Sequence, residues 1–127
     1  MADAHPFQYA IVRVVPRVER GESMNAGVIL FCRPRRYLAA RVDLDEKRLK
    51  ALAPDADPQS VRAHLDAIAR IAAGDLAGGP IAALPRPERF HWLVAASSTI
   101  IQPSPVHTGM TDDPATELNY LFDSMVG

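Results

Sequence analysis

The fold is decided by residues 7–33, FQYAIVRVVPRVERGESMNAGVILFCR. Residues 7–16 are rich in β-branched and aromatic side chains and end at a proline, which predicts a strand. Residues 25–33 predict a second strand that is apolar on both faces, and the charged, glycine-containing residues 17–23 predict the loop between the two. Apolar side chains on both sides of a strand indicate a sheet that is covered twice.

The chain after this stretch completes a meander. Pro34 and Arg35 predict a tight turn, and residues 36–44 predict a third strand. Three consecutive strands on short connections favour an antiparallel three-stranded meander. At residues 25–27, Asn-Ala-Gly indicates a β-bulge or a close approach of two backbones.

The hydrophobic period then changes to that of helices. Residues 45–53 predict a short helix, and residues 57–74 predict a longer one with Asp57 as its N-cap. Residues 112–126 predict a third helix that begins after Asp113.

The segments between the second and third helices are less regular. Residues 75–87 form a Gly/Pro-rich connector, residues 88–96 fit a short helix and a strand equally, and residues 98–102 read as extended. The fold class we expect is α+β, with an antiparallel sheet of four or five strands and about three helices packed mainly on one face. One domain is expected over residues 1–127, with residues 1–6 as a flexible tail.

Composition excludes several classes of protein. The chain has 127 residues, 48% hydrophobic and 23% charged, with a net charge of −1, so no global field attracts nucleic acid or anionic lipid. The charge is uneven, since residues 1–41 carry a net +4 and residues 42–127 a net −5. We therefore expect a partner to be a protein, and self-association is also expected because both sheet faces need a cover.

Cysteine usage and the hydrophobic runs indicate the cytoplasm. Cys32 is the single cysteine, so no internal disulfide and no thiolate cluster for zinc can form. The first residues do not show a basic segment followed by an apolar one, so we expect no secretory leader, and no run of about 20 apolar residues is present. We expect no cofactor, no metal and no membrane partner.

Hydrogen-bonding groups and prolines are concentrated in residues 97–109, SSTIIQPSPVHTG. Two prolines restrict the open chain, so this segment is easily held in one shape. We expect it to present Gln102, Ser104 and His107 outward as a rigid docking segment. The alternative is that these groups satisfy backbone ends before the last helix.

Catalytic interpretations of the same residues are weaker. Ser104, His107 and Asp112 could form a nucleophile triad, but no nucleophile-elbow pattern surrounds the serine, and Pro105 follows it without an N–H. His91 and His107 could converge on a metal with Asp112 or Asp113, but the sequence has no HxxxH or HxH pair. A small enzyme or ligand-binding protein would need Arg13, Gln102, Ser104 and His107 around one pocket.

Three further features have both a functional and an ordinary explanation. Residues 33–37, RPRRY, could bind phosphate and stack a base, but three arginines at a turn more often protect a sheet edge, so nucleic acid is not expected. Arg13 on an apolar strand face could pair with a carboxylate such as Asp43 or mark a pocket floor. Trp92 could anchor a partner or belong to the core.

The chain resembles a family of small bacterial proteins catalogued as domain of unknown function 3037. The resemblance lies in YAIVRVVPRVERGESMNAGVILFC, RFHWLVAASSTIIQPSPVHTG and the following DDP, and it extends over nearly the whole chain. It implies no known activity. The resemblance does imply that the gene lies beside a gene for a kinase that looks like the HipA toxin kinase. It therefore implies a role as an accessory protein.

A non-enzymatic module that binds another protein, with a HipA-like kinase as one such partner, is therefore the function we favour from the sequence. The residues that motif and chemistry mark as candidates for partner or ligand binding are Arg13, Glu19, Arg20, Asn25, His91, Ser98, Gln102, Ser104 and His107.

Overall fold

The computed structural model of the protein describes residues 4–17, 20–95 and 100–126. Its strands are β1 (His5–Val14), β2 (Met24–Cys32), β3 (Tyr37–Val42), β4 (Ile101–Pro103) and β5 (His107–Thr111). Its α-helices are α1 (Glu46–Leu52), α2 (Pro58–Ala73), α3 (Arg86–Val94) and α4 (Pro114–Met125). The predicted α+β class with an antiparallel sheet is confirmed.

The sheet is antiparallel throughout, and β1 lies at its centre. β2 pairs with one side of β1, and β3 pairs with the far side of β2, which confirms the predicted meander. β4 and β5 both pair with the other side of β1, one after the other along its length. Because β1 begins at His5, the ordered strand includes two of the six residues expected in a tail.

Helices cover both faces of the sheet. α1, α2 and α3 pack on the face that carries Val12 and Ile29, and α4 packs on the face that carries Ile11 and Leu30. Three of the four described helices therefore share one face, as the sequence predicts. The second face, which we expected a second copy to cover, is covered by α4 of the same chain.

A β-bulge lies at the start of β2. Val12 and Arg13 are neighbours on β1, but they lie opposite Gly27 and Asn25, so one residue of β2 has no counterpart. A Cβ atom at Gly27 would lie 2.8 Å from the Arg41 carbonyl oxygen of β3. Both interpretations of this stretch, a bulge and a close approach, are confirmed.

Helix ends follow the capping signals in the sequence. The Asp57 carboxylate accepts a hydrogen bond from the main-chain N–H of Gln59, and that of Asp113 accepts one from Thr116. Gly74 ends α2 with a φ of 75°, a conformation that glycine adopts without strain. These local signals explain why α2 and α4 begin and end close to their predicted positions.

Candidate functional site

The predicted docking segment, residues 97–109, forms one edge of the sheet where it is described. Pro103 lies opposite Val12 and His107 opposite Tyr9, so the edge contains one residue more than β1 between these pairs. The extra residue makes a β-bulge that separates β4 from β5. The segment is therefore a paired edge of the sheet, with its prolines at and beside the bulge.

Ser104 is buried at this bulge and bonds to the main chain of β1. The N–H of Ile11 donates to Ser104 Oγ at 2.8 Å, and the N–H of Ser104 donates to the Ile11 carbonyl at 2.8 Å. The hydroxyl also donates to the Pro105 carbonyl at 2.9 Å. The hydroxyl oxygen thus takes the place of a carbonyl in the ladder, and the expectation that Ser104 is presented outward is wrong.

Arg13 is half-buried and lies directly opposite Gln102. Its Nη2 donates to the Pro103 carbonyl at 3.0 Å, and its Nε donates to the Gln102 carbonyl at 3.4 Å. Within the described residues, no ion pair joins Arg13 to Asp43. The guanidinium therefore fastens β4 to β1 instead of pairing with a carboxylate.

His107 is the exposed member of the expected set. Its ring lies 5.3 Å from the Tyr9 ring, at an interplanar angle of 34°. Arg13, Gln102 and His107 follow one another along the sheet edge, and neither of the two clefts described below is lined by them or by Ser104. The four residues therefore lie along one edge of the sheet and not around either of these two clefts.

The remaining loop candidates serve local structure. Arg20 Nε lies 2.9 Å from a Glu22 carboxylate oxygen on the exposed loop between β1 and β2. Asn25 Nδ2 donates to the Met125 carbonyl at 3.0 Å and so satisfies an end group of α4. Glu19 and Ser98 lie outside the described residues.

A cleft between α3 and the sheet is the larger of the two clefts described for this protein, and we call it the α3 cleft. It has a volume of about 510 Å³. Its lining consists of Gln8, Phe31, Arg33, Pro87, Glu88, Phe90, His91, Val94 and Val106. This volume lies within the range of small-molecule sites, roughly 300–1,000 Å³.

Segments that are distant in sequence build the α3 cleft. The Phe31 and Phe90 rings lie 5.1 Å apart and fix α3 on the sheet. His91 and Val94 then line the cleft from the exposed side of the same helix. The bulge after β4 adds Val106, which is 38% exposed.

Arg89 holds the start of α3 against the end of α2. Its Nη1 donates to the Leu84 carbonyl at 2.8 Å, and its Nη2 donates to the Ala72 carbonyl at 3.3 Å. Burial, together with the neighbouring Arg86 charge, lowers the pKa of Arg89. The α3 cleft therefore stands on a helix that is anchored at its base.

Four polar side chains line the otherwise apolar cleft: Gln8, Arg33, Glu88 and His91. All four are exposed, and within the described residues none of them makes a side-chain hydrogen bond or ion pair. The cleft therefore offers a cation, an anion, an amide and an imidazole that the fold itself does not use. Of these, the sequence marked His91 as a candidate for partner binding, and it raised Arg33 only for nucleic-acid binding, which was not expected.

The chain matches the model of one protein family over nearly its whole length. The model of the family described as protein of unknown function (DUF3037) matches residues 9–126. The chain belongs to this family. A search of curated proteins and a search of solved structures each returned no match.

Trp92 follows His91 in this DUF3037 chain and is 50% exposed. The alternative that the single tryptophan belongs to the core is therefore wrong. The segment that fitted a helix and a strand equally is helix α3, which buries Phe90 and Leu93 and turns Trp92 outward. Exposure of the largest apolar side chain was not predictable from the amphipathic pattern alone.

The arginines of residues 33–37 point to different places. Arg33 lines the α3 cleft, Arg35 Nη1 donates to the Asp112 carbonyl at 2.9 Å, and Arg36 adopts a left-handed φ of 51° at the end of the turn. Burial, with the Asp113 carboxylate as the smaller cause, raises the pKa of Tyr37. The described cluster is therefore spread around a turn and does not form one basic patch.

A smaller cleft of about 270 Å³ lies where the loop after β1 meets the turn between α1 and α2. Arg17 Nη2 donates to Asp55 Oδ1 at 3.1 Å across it. This hydrogen bond lowers the pKa of Asp55. The charged groups of this smaller cleft already have partners in the fold, since Arg17 binds Asp55 and Asp57 caps α2, so the α3 cleft is the stronger candidate.

Among residues 4–17, 20–95 and 100–126, no three His, Cys, Asp or Glu side chains converge as metal ligands would. None of the helices in those ranges combines the length and apolar character needed to cross a bilayer.

Proposed function

We propose that this protein is a non-enzymatic accessory module that binds another protein through the α3 cleft and Trp92. The observation that carries the proposal is that α3 bears both a half-exposed tryptophan and, one residue earlier in the sequence, His91 of a cleft whose polar lining is unused. Exposed aromatic residues next to a concave surface are the features that dominate contact energies in protein interfaces.

The hydrogen bonds of Ser104 support a binding role over hydrolysis. Its hydroxyl accepts from Ile11 and donates to Pro105, so it would have to leave the β-ladder to attack a substrate. Candidate residues such as Arg13 and Asn25 are likewise engaged in fastening strands and helix ends.

The partner we propose is a HipA-like kinase, on the strength of the family resemblance. A protein partner fits the α3 cleft because an inserted apolar side chain would contact Phe31 and Phe90 while its neighbours meet Arg33 and Glu88. We also propose the cytoplasm as the compartment, supported by the use of a single cysteine, Cys32, which is buried.

Isothermal titration of the purified protein against the HipA-like kinase of the same host tests this function. Trp92→Ala is expected to weaken binding about tenfold or more, because truncation of a central aromatic contact commonly has an effect of this size. Tyr120→Ala is the matched control, since Tyr120 is 65% exposed on α4 at the opposite face of the sheet. Undetectable binding of the unaltered protein, or equal binding by Trp92→Ala, would refute the proposal.

A second candidate function is the binding of a small zwitterionic ligand in the same cleft. It is supported by the presence of Arg33 and Glu88, one cation and one anion, in a cleft of suitable volume. Free hydrophobic amino acids are the probes to use, with binding followed by amide chemical shifts. Shifts confined to the α3 cleft, and lost in Arg33→Ala, would favour this function over protein binding.

A further inference from the structure

We propose that two copies of this chain associate by antiparallel pairing of β5 with β5, through residues 107–111, none of which lines the α3 cleft. The starting observation is that the described sheet edges are protected unequally. β3 carries the exposed charge of Arg41, and β4 ends at Pro103 beside the bulge. β5, HTGMT, has no charged residue, no proline and no bulge, although such features normally prevent edge pairing.

The open side of β5 presents the main-chain groups of Thr108 and Met110. Odd-numbered residues of β1 direct their hydrogen bonds to this edge, as the bonds of Ile11 and Val15 demonstrate. In an antiparallel ladder, the residues of β5 opposite even-numbered β1 residues therefore point their N–H and C=O away from β1. Thr108 lies opposite Gln8 and Met110 opposite Pro6, so these two point outward.

The spacing of these outward groups makes β5 complementary to itself. A two-fold axis at Gly109 places Thr108 of each copy opposite Met110 of the other, which allows four main-chain hydrogen bonds. Gly109 faces its own counterpart at the axis, where the absence of a side chain allows close approach. Pairing in this register would join the two five-stranded sheets into one.

Side chains and charges favour a second copy as the occupant. Met110 is 61% exposed on a strand edge, and in this register it packs beside Thr108 of the other copy. The nearest charged residue in sequence, Asp112, would lie opposite Val106 and not opposite another carboxylate. No like charges therefore oppose each other across the paired strands.

Sedimentation velocity of the full chain from about 5 to about 500 µM tests this pairing. We expect a concentration-dependent dimer that Met110→Lys weakens about tenfold or more, because the two ammonium groups would lie diagonally across the axis. Tyr120→Lys, an equal change at an exposed site on α4, is expected to leave the dimer unchanged. A protein that stays monomeric over this range, or a dimer that Met110→Lys does not weaken, would overturn the proposal.

A second variant separates loss of pairing from loss of folding. Thr108→Pro removes an outward N–H that bonds nothing in β1, so the monomer should retain its circular dichroism while the dimer is lost. If Thr108→Pro does not fold, the effect of Met110→Lys on the dimer decides whether β5 pairs with β5. Kinase binding through Trp92 is measured independently, so either proposal can fail without the other.

Discussion

Ser104 has the side chain of a nucleophile and makes the hydrogen bonds of a main-chain carbonyl. Its residue type and its position between two prolines are visible in the sequence, but its partner Ile11 is 93 residues away. A hydroxyl that completes a β-ladder at a bulge is a structural device, because a buried N–H without a partner costs free energy. Sequence alone could not separate this role from display, since both use the same polar residues.

Ser104→Ala is expected to lower the free energy of unfolding by about 1–3 kcal/mol, because the buried Ile11 N–H would lose its acceptor. Urea denaturation measures the change. Ser124→Ala is the control, since Ser124 is exposed on α4 and should change stability little. Equal stability of the two variants would contradict the structural role of the hydroxyl.

At the scale of elements, the sequence predicted those whose signals are local. β1 and β2 carry apolar runs, and α2 and α4 carry an Asp N-cap followed by Pro. Because these signals are local, the predicted bounds of the four elements lie close to the observed ones. β5 lacks an apolar alternation, and it is placed by its pairing with β1, which is distant in sequence. α3 was ambiguous because its core contact, Phe90 on Phe31, comes from another part of the chain.

The N-cap of α4 should make stability depend on pH. Hydrogen bonds from the Thr116 side chain and main chain lower the pKa of Asp113 below its ordinary value of 3.8. A lowered pKa means that the ionised carboxylate stabilises the fold at pH values above 3.8, and that this contribution disappears as the pH falls through the folded-state pKa.

Melting temperatures of Asp113→Ala and the unaltered protein should therefore differ more at about pH 6 than at about pH 2.5. Asp66→Ala is the control, because Asp66 is an exposed residue of α2 outside the ion pairs described. A gap for Asp113→Ala that is independent of pH would contradict the role of the charged carboxylate.

At the scale of the whole molecule, the sequence predicted a sheet covered on both faces but not which segment covers the second one. α4 does so with Leu118, Leu121 and Phe122. The α3 cleft was missed for a similar reason, since it joins β1, β2, α3 and the bulge before β5, and no local pattern links them. Such a site depends on the packing of the complete fold.

A central sheet shared by two cores predicts that both unfold together. Phe122→Ala removes a buried ring from the α4 core and is expected to cost about 3–5 kcal/mol. The single tryptophan, Trp92, lies half-exposed on α3 at the other face of the sheet, so its fluorescence reports the unfolding of α3. Because β1 and β2 contribute side chains to both cores, the Trp92 transition of Phe122→Ala should move to lower denaturant together with the circular dichroism signal. Tyr120→Ala, an exposed change on α4, should leave both transitions in place. A Trp92 transition that stays at its original midpoint while helix signal is lost would mean that the two layers fold as separate units.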